Sequence, residues 1–281
     1  MSYPLCSSWL NFLPLRNAKY ITKRQKTVKH QLYRQMQKET DCIFGLHAVI
    51  EAIKAGKQID RLLIKQGLQG ALYHELMTEV RTHNIVYQIV PVERIELVTR
   101  KNHQGVLAWL SVIEYQYISN LLPMVYEKGV DPLIIALDGV SDVRNFGAIV
   151  RTAECLGAHA IIIPEKGSAR ITADAVKTSA GALHSFPVCR EKSIVRSIEY
   201  LKESGLKVFC AGEKSGESAS EVSLTGPSVL ILGSEDKGIS RELIALSDHQ
   251  IRIPMTGTIG SLNVSVAAGI LLYEIVRQRS L

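Results

Sequence analysis

Residues 251–279 read IRIPMTGTIGSLNVSVAAGILLYEIVRQR. A β-type run at Ile251 and Ile253 meets Pro254 and passes through a loop of glycines and hydroxyl residues. It then enters an apolar-periodic segment near Leu262 or Asn263. The order is strand, loop, helix. Between Met255 and Ser261 there is no charge, so the backbone there can approach a small ligand with no side chain in the way. A surface crossover whose turn needs glycines fits the same residues. Arg277 and Arg279 close the helix at the end where cations suit its macrodipole.

The residues before this stretch repeat its pattern. Leu133 to Leu137 is an unbroken apolar run that reads as a buried strand ending in Asp138-Gly139, and Asn145 is placed to cap a helix with Ile149, Val150, Ala153 and Leu156 on its core face. Ala160 to Ile163, Leu206 to Cys210 and Ser228 to Leu232 are further strands, and Ala173 to Leu183 and Ile194 to Glu203 are helices. Strands alternating with helices imply a mainly parallel sheet covered on both faces, with any ligand at the carboxyl ends of the strands. Three loops lie at such ends: 139–145, 233–238 and 254–262. Gly233 and Gly238 have the spacing of a P-loop, but Ile239 stands where that motif needs lysine and the loop carries Glu235 and Asp236, which disfavours cradling ATP. No GxGxxG follows the first strand, so a dinucleotide site is equally poor.

Residues 41–112 form a smaller α/β pattern. Ile43-Phe44-Gly45 leads into a helix stopped by Gly56; Arg61 to Ile64, Val86 to Val90 and Gly105 to Leu110 are strand candidates, and Ala71 to Thr82 is a helix. His47 reads as structural. The polar turn Arg100-Lys101-Asn102-His103-Gln104 could contact phosphates or simply be solvated. Residues 113–130, with mixed polarity and Pro123, read as a linker with a helical portion before a second domain at 131–281.

Charge divides the chain differently. Of 33 basic and 27 acidic residues, residues 1–40 hold eight basic and one acidic, so the net +6 belongs to an N-terminal arm and the remainder is near neutral. Such an arm suits a polyanion, resembles an acid-poor transit peptide, or precedes a true start at Met36. The five cysteines are widely spaced with no CxxC or Cys/His pattern, which implies reduced thiols, no metal site and a cytoplasmic setting. No apolar run is long enough for a membrane helix.

Asn145-x-Gly147-Ala148-x-x-Arg151, Leu232-Gly233-Ser234-Glu235-x-x-Gly238, and Ile253-Pro254-Met255 with Ser261-Leu262-Asn263-Val264-Ser265-Val266-Ala267 resemble, in order, motifs 1, 2 and 3 of the SpoU (TrmH-type, SPOUT) RNA 2′-O-ribose methyltransferases. Ile43-Phe44-Gly45-Leu46-His47-Ala48-Val49 and Asn102-His103-Gln104-Gly105-Val106 resemble the L30e-like RNA-binding domain that precedes the catalytic one in many members. The resemblance implies an α/β fold with a C-terminal trefoil knot. It also implies S-adenosylmethionine bound in that knot, an RNA substrate and a homodimer whose active site is completed across the interface. A guanosine ribose in 23S ribosomal RNA is the favoured target. Transfer RNA, or a non-catalytic RNA-binding role, are the alternatives. Gly233, Ile253 and Leu262 would contact the cofactor. Arg151, Glu235, Asn145, Ser261 and Asn263 would form the catalytic set. Arginine keeps its proton at any working pH, so Arg151 suits a phosphate clamp and oxyanion stabiliser better than a base. Glu235 would orient Arg151 or a backbone amide, and Asn145, Ser261 and Asn263 would hold loops and ribose; a helix cap is the simpler role for Asn145, Ser261 or Asn263.

Overall fold

The computed structural model describes residues 42–169, 171–212, 216–258 and 260–280. The basic arm, Met36 and Arg170 lie outside them.

The first unit runs β1 (Cys42–Phe44), α1 (Leu46–Lys54), β2 (Ile59–Lys65), α2 (Ala71–Thr82), β3 (Tyr87–Val90), α3 (Val92–Glu96) and β4 (Val106–Leu110). Its strands lie in the order β1-β4-β2-β3, with β4 antiparallel to both neighbours and β2 parallel to β3. The apolar stripes of α1 (Val49, Ile50, Ile53) and α2 (Leu76, Val80) bury one face against Leu62, Ile64 and Val106. Ile95 of α3 covers Leu63 and Leu107 on the other. In the turn before β4, the Leu46 N–H donates to Gln104 Oε1 at 3.1 Å, and the Gly105 N–H donates to His103 Nδ1 at 3.0 Å. Gln104 of this polar turn thus braces the start of α1, where Gly45 supplies no side-chain cap, while His103 holds the turn itself. His47, read as structural, is exposed on α1.

Residues 113–130 hold the helical portion expected there, preceded by a short strand. β5 (Tyr115–Gln116) pairs with a strand of the second sheet, and α4 (Ile118–Glu127) buries Ile118, Leu121, Leu122 and Val125 on it. That i, i+3, i+4, i+7 stripe required cover. There follow β6 (Leu133–Asp138), α5 (Val143–Cys155), β7 (Ala160–Pro164), α6 (Ala173–Thr178), β8 (Val188–Glu191), α7 (Ile194–Glu203), β9 (Lys207–Ala211), β10 (Glu217–Ser218), β11 (Ser228–Gly233), α8 (Arg241–Leu246), β12 (His249–Arg252) and α9 (Val264–Arg279). The expected helix over Ala173 to Leu183 breaks after Thr178, because Ala180 (φ 52°) and Gly181 (φ 88°) are left-handed, and a short 3-10 turn follows.

The strands are ordered β10-β12-β9-β11-β6-β7-β8-β5, and every pairing is parallel. Helices α5 and α9 cover one face over Ile135, Leu137, Leu230 and Leu232; α4, α7 and α8 cover the other over Ile134, Ala136, Val229 and Ile231. Two buried faces explain why the central strands read as continuous apolar runs.

β9 is laid one place away from β6, and β11 later fills the gap. The chain direction across the sheet reverses there, which opens a crevice at the carboxyl ends. From β12 the chain returns as α9, packing along α5. The last turn of α9 is held by the connection between β9 and β11: Gln278 Oε1 accepts from the Leu224 N–H at 2.8 Å, and its Nε2 donates to the carbonyls of Ala219 and Val222. The end of the terminal helix is therefore held by a segment that precedes it by some fifty residues.

Candidate functional site

Each of the three loops follows the carboxyl end of a parallel strand, β6, β11 or β12. At the end of β6, Asp138 Oδ2 accepts from the Ser240 N–H at 2.7 Å, tying the loop after β11 to the neighbouring strand. That loop also folds on itself: the Gly238 N–H donates to the Ser234 carbonyl at 2.8 Å. A Cβ on Gly233 would stand 2.2 Å from the Gly238 carbonyl carbon, so only glycine fits. The turn thrusts Glu235 outward.

Across from it, α5 starts earlier than the sequence suggests. Its N-cap is Asp142, whose Oδ1 accepts from the N–H groups of Arg144 and Asn145, both at 2.9 Å. Asn145 is thereby inside the first turn, and its side chain is released from capping. Asn145 Nδ2 donates to Glu235 Oε1 at 3.2 Å. From the third loop, Asn263 Nδ2 donates to the same Glu235 oxygen at 2.7 Å and to Asn145 Oδ1 at 3.0 Å. Asn263 Oδ1 meanwhile accepts from the Ser265 N–H at 3.0 Å, capping α9. One carboxylate and two carboxamides thus tie together three loops, the first and last of them 118 residues apart in sequence.

Beside this junction a cavity opens at the carboxyl ends of β9, β11 and β12. It is walled by Ala211, Gly212, Leu232, Gly233, Ile253 and Leu262, with Glu235, Met255 and Ser261 at its rim. All three expected cofactor contacts, Gly233, Ile253 and Leu262, line it, as do Glu235 and Ser261. Among the described residues, no backbone group of 254–262 is hydrogen-bonded to another backbone group. Such a strand-free loop offers donors and acceptors to a bound molecule. A second hollow shares Ser234, Glu235 and Val264 with the first and is walled on its far side by Gly139, Ser141, Asp142 and Asn145. The two meet at Glu235, an arrangement suited to one ligand on each side of it. Among the described residues no group of His, Cys, Asp or Glu is placed to hold a metal ion.

Arg151 is not brought to this place within the chain. It is exposed on α5 and lines neither hollow. It lies six residues beyond Asn145, roughly 9 Å along the axis and turned well away from it. Alongside, α9 presents Val266, Ile270 and Tyr273 to solvent, 49%, 42% and 60% exposed. Asp138 and Asp142, which hold two of the loops, were not singled out from sequence; an acid at the end of a buried strand, or two residues ahead of a helix, was the available signal.

Comparison with known proteins places the chain by family and fold. The family model described as SpoU rRNA Methylase matches residues 132–273, and one described as RNA 2′-O ribose methyltransferase substrate binding matches residues 42–116. The Bacillus subtilis protein YacO, a putative TrmH family tRNA/rRNA methyltransferase, is 33% identical over 245 residues, covering 87% of this chain and 98% of its own. The solved structure described as A. aeolicus TrmH/SpoU tRNA modifying enzyme is 34% identical over 54% of this chain and 77% of its own, with a TM-score of 0.50. The SpoU methyltransferase AviRb from Streptomyces viridochromogenes, solved with the cofactor AdoMet, has a TM-score of 0.54 at 24% identity, covering 89% of this chain and 98% of its own; it is alike in fold.

Proposed function

The chain belongs to the SpoU rRNA methylase family of RNA methyltransferases, and from that premise we propose that it methylates the ribose 2′-hydroxyl of a guanosine in 23S ribosomal RNA, using S-adenosylmethionine. The observation that carries this is the Glu235, Asn145 and Asn263 junction between two adjoining hollows.

The first hollow fits the methyl donor. Leu232, Ile253 and Leu262 offer apolar walls to an adenine, and the uncommitted backbone of 254–262 offers hydrogen bonds to its edge and to the ribose. When bound, the donor supplies a methyl group on a sulfonium, a leaving group that needs no acid. What the protein must add is a nucleophile in line. A ribose hydroxyl has a high pKa, so it must shed its proton as it attacks, and positioning alone can lower that barrier by on the order of several kcal/mol. The second hollow is where the ribose would sit, with Asn145 and Asn263 holding Glu235 fixed between substrate and donor and Ser261 at the rim. Arg151 then clamps the adjacent phosphate and steadies the developing oxyanion. Its position on the outer face of α5, beside the exposed stripe of α9, supports a homodimer in which each Arg151 serves the partner's cavity.

Ribosomal RNA is favoured by the separate module at residues 42–116 that matches a substrate-binding family. Transfer RNA is the second reading, favoured by the 34% identity of the catalytic domain to a tRNA-modifying enzyme. Incubation of the purified chain with labelled S-adenosylmethionine and either RNA, followed by mapping of 2′-O-methyl sites, tests both. Label in neither RNA would sink the proposal.

A further inference from the structure

The two units of the chain are joined by more than the short connection after β4. Asp60 in β2 of the first sheet is only 8% exposed. It meets Arg190 in β8 of the second: Nη1 donates to Asp60 Oδ1 and Nη2 to the Asp60 carbonyl, both at 3.1 Å. The Arg190 guanidinium lies 4.8 Å from the ring centroid of Tyr115, and the Tyr115 hydroxyl donates to the same Asp60 Oδ1 at 3.0 Å. Gln58 Oε1 accepts from the Tyr115 N–H at 2.8 Å, extending the contact along the seam. Burial, with the Asp60 carboxylate next, raises the Tyr115 pKa, so the phenol keeps the proton it donates. A planar guanidinium with two donors engaged and one face on a ring has little freedom to swing.

The place of this cluster in the sheet gives it a function. Gly233 pairs with Asp138, Ala136 with Ile162, and Pro164 with Glu191, so the residue after Arg190 is level with the cavity wall. All these strands are parallel, so both lie on the carboxyl edge, three strand spacings or roughly 14 Å apart. We infer that Asp60, Arg190 and Tyr115 form a clamp that fixes the substrate-binding module on the carboxyl edge of the catalytic sheet, so that RNA held by the module is presented to the cavity. Arg190 is a positioning residue in this arrangement. It touches neither hollow at the catalytic junction. The inference rests on the RNA-methyltransferase reading for its consequence and on geometry alone for the clamp.

The test uses the full chain. Arg190→Met keeps the length and apolar stem but removes the charge and fork; Arg190→Lys keeps the charge without the fork; Tyr115→Phe keeps the ring. Spin labels on His47→Cys and Glu203→Cys, with Cys6, Cys42 and Cys155 replaced by serine, report the distance between modules. Arg190→Met is expected to broaden that distance distribution and to raise KM for RNA at least tenfold. It should leave kcat at saturating RNA within threefold and the dissociation constant for S-adenosylmethionine unchanged. Arg190→Lys and Tyr115→Phe should fall between it and the parent. A narrow, parental distance distribution in Arg190→Met, or an unchanged KM, would overturn the clamp. Absence of turnover in the parent chain would instead defeat the functional reading, and the distance distribution would still decide the clamp.

Discussion

Asn263 carries two tasks on one side chain, and a single substitution separates them. Its Oδ1 caps α9 through the Ser265 N–H, while its Nδ2 binds Glu235 and Asn145. Asn263→Asp retains an acceptor for the cap and loses the donor, and it places a second carboxylate against Glu235. The variant should therefore fold, with a Tm within about 4 °C of the parent, since the cap worth about 1 kcal/mol is kept. Its kcat should fall at least about tenfold, because Glu235 is then repelled from the junction. Thermal melting and single-turnover methyl transfer check the two halves, and parental turnover would remove the junction from the mechanism. Sequence alone offers Asn145 and Asn263 the same plain role, a helix cap. Asn263 has that role and a second one; Asn145 does not have it, because Asp142 outcompetes it by accepting two N–H bonds. Which of two nearby Asx residues caps a helix depends on the chain's entry angle, which no local pattern states.

At the scale of elements, glycines and buried thiols show how the sheet holds the loops. A Cβ on Gly147 would lie 2.8 Å from Thr178 Cβ and 2.9 Å from the Ala175 carbonyl, so α5 and α6 touch through backbone. Gly147→Ala should push α5 away and cost about 1–3 kcal/mol, a Tm fall of roughly 2–12 °C, displacing Asn145 with it. Calorimetry would show this, and an unchanged Tm would mean that the helices part without cost. On the strands, burial pushes the thiol of Cys189 up to about 12 and that of Cys210 up to about 11, against an ordinary 9.0. The folded chain retains protons there that the unfolded chain releases, so stability is whole below about pH 9 and declines as pH climbs towards 11 to 12. The raised phenol of Tyr115 adds to the decline with the same sign. Urea midpoints between pH 8 and 11 should fall, and Cys189→Ala with Cys210→Ala should flatten the slope without abolishing it. The parallel order of these strands was legible from their unbroken apolar runs. Within residues 113–130 the helical portion was legible but β5 was not, because it is two residues long and gains its identity only by pairing with β8. The helix at Arg241–Leu246 was not read at all, since six residues give too little periodicity to register.

For the whole molecule, the role proposed for Arg151 requires a second chain, because Arg151 lines neither hollow of its own. Val266, Ile270 and Tyr273 recur at i, i+4 and i+7 along the outer face of α9, and a stripe of that size facing water suits a two-fold contact in which the same helix meets its copy. Such a contact would carry the α5 helices with it, because α9 and α5 are packed along each other. Ile270→Glu should then give a monomer by sedimentation and abolish methyl transfer, although every residue of the junction remains. Complementation distinguishes service across the interface from a distant effect on folding. Arg151→Ala and Glu235→Gln should each be inactive alone while binding S-adenosylmethionine. If Arg151 acts on the partner's cavity, unfolding and refolding the two variants together makes mixed dimers with one complete site. Random pairing then restores about a quarter of the parental sites. If Arg151 acts within its own chain, each mixed dimer holds two broken sites and activity stays at the level of the separate variants. The same mixture with Asn145→Ala in place of Glu235→Gln should recover to the same extent, because Asn145 and Glu235 belong to one junction of one chain.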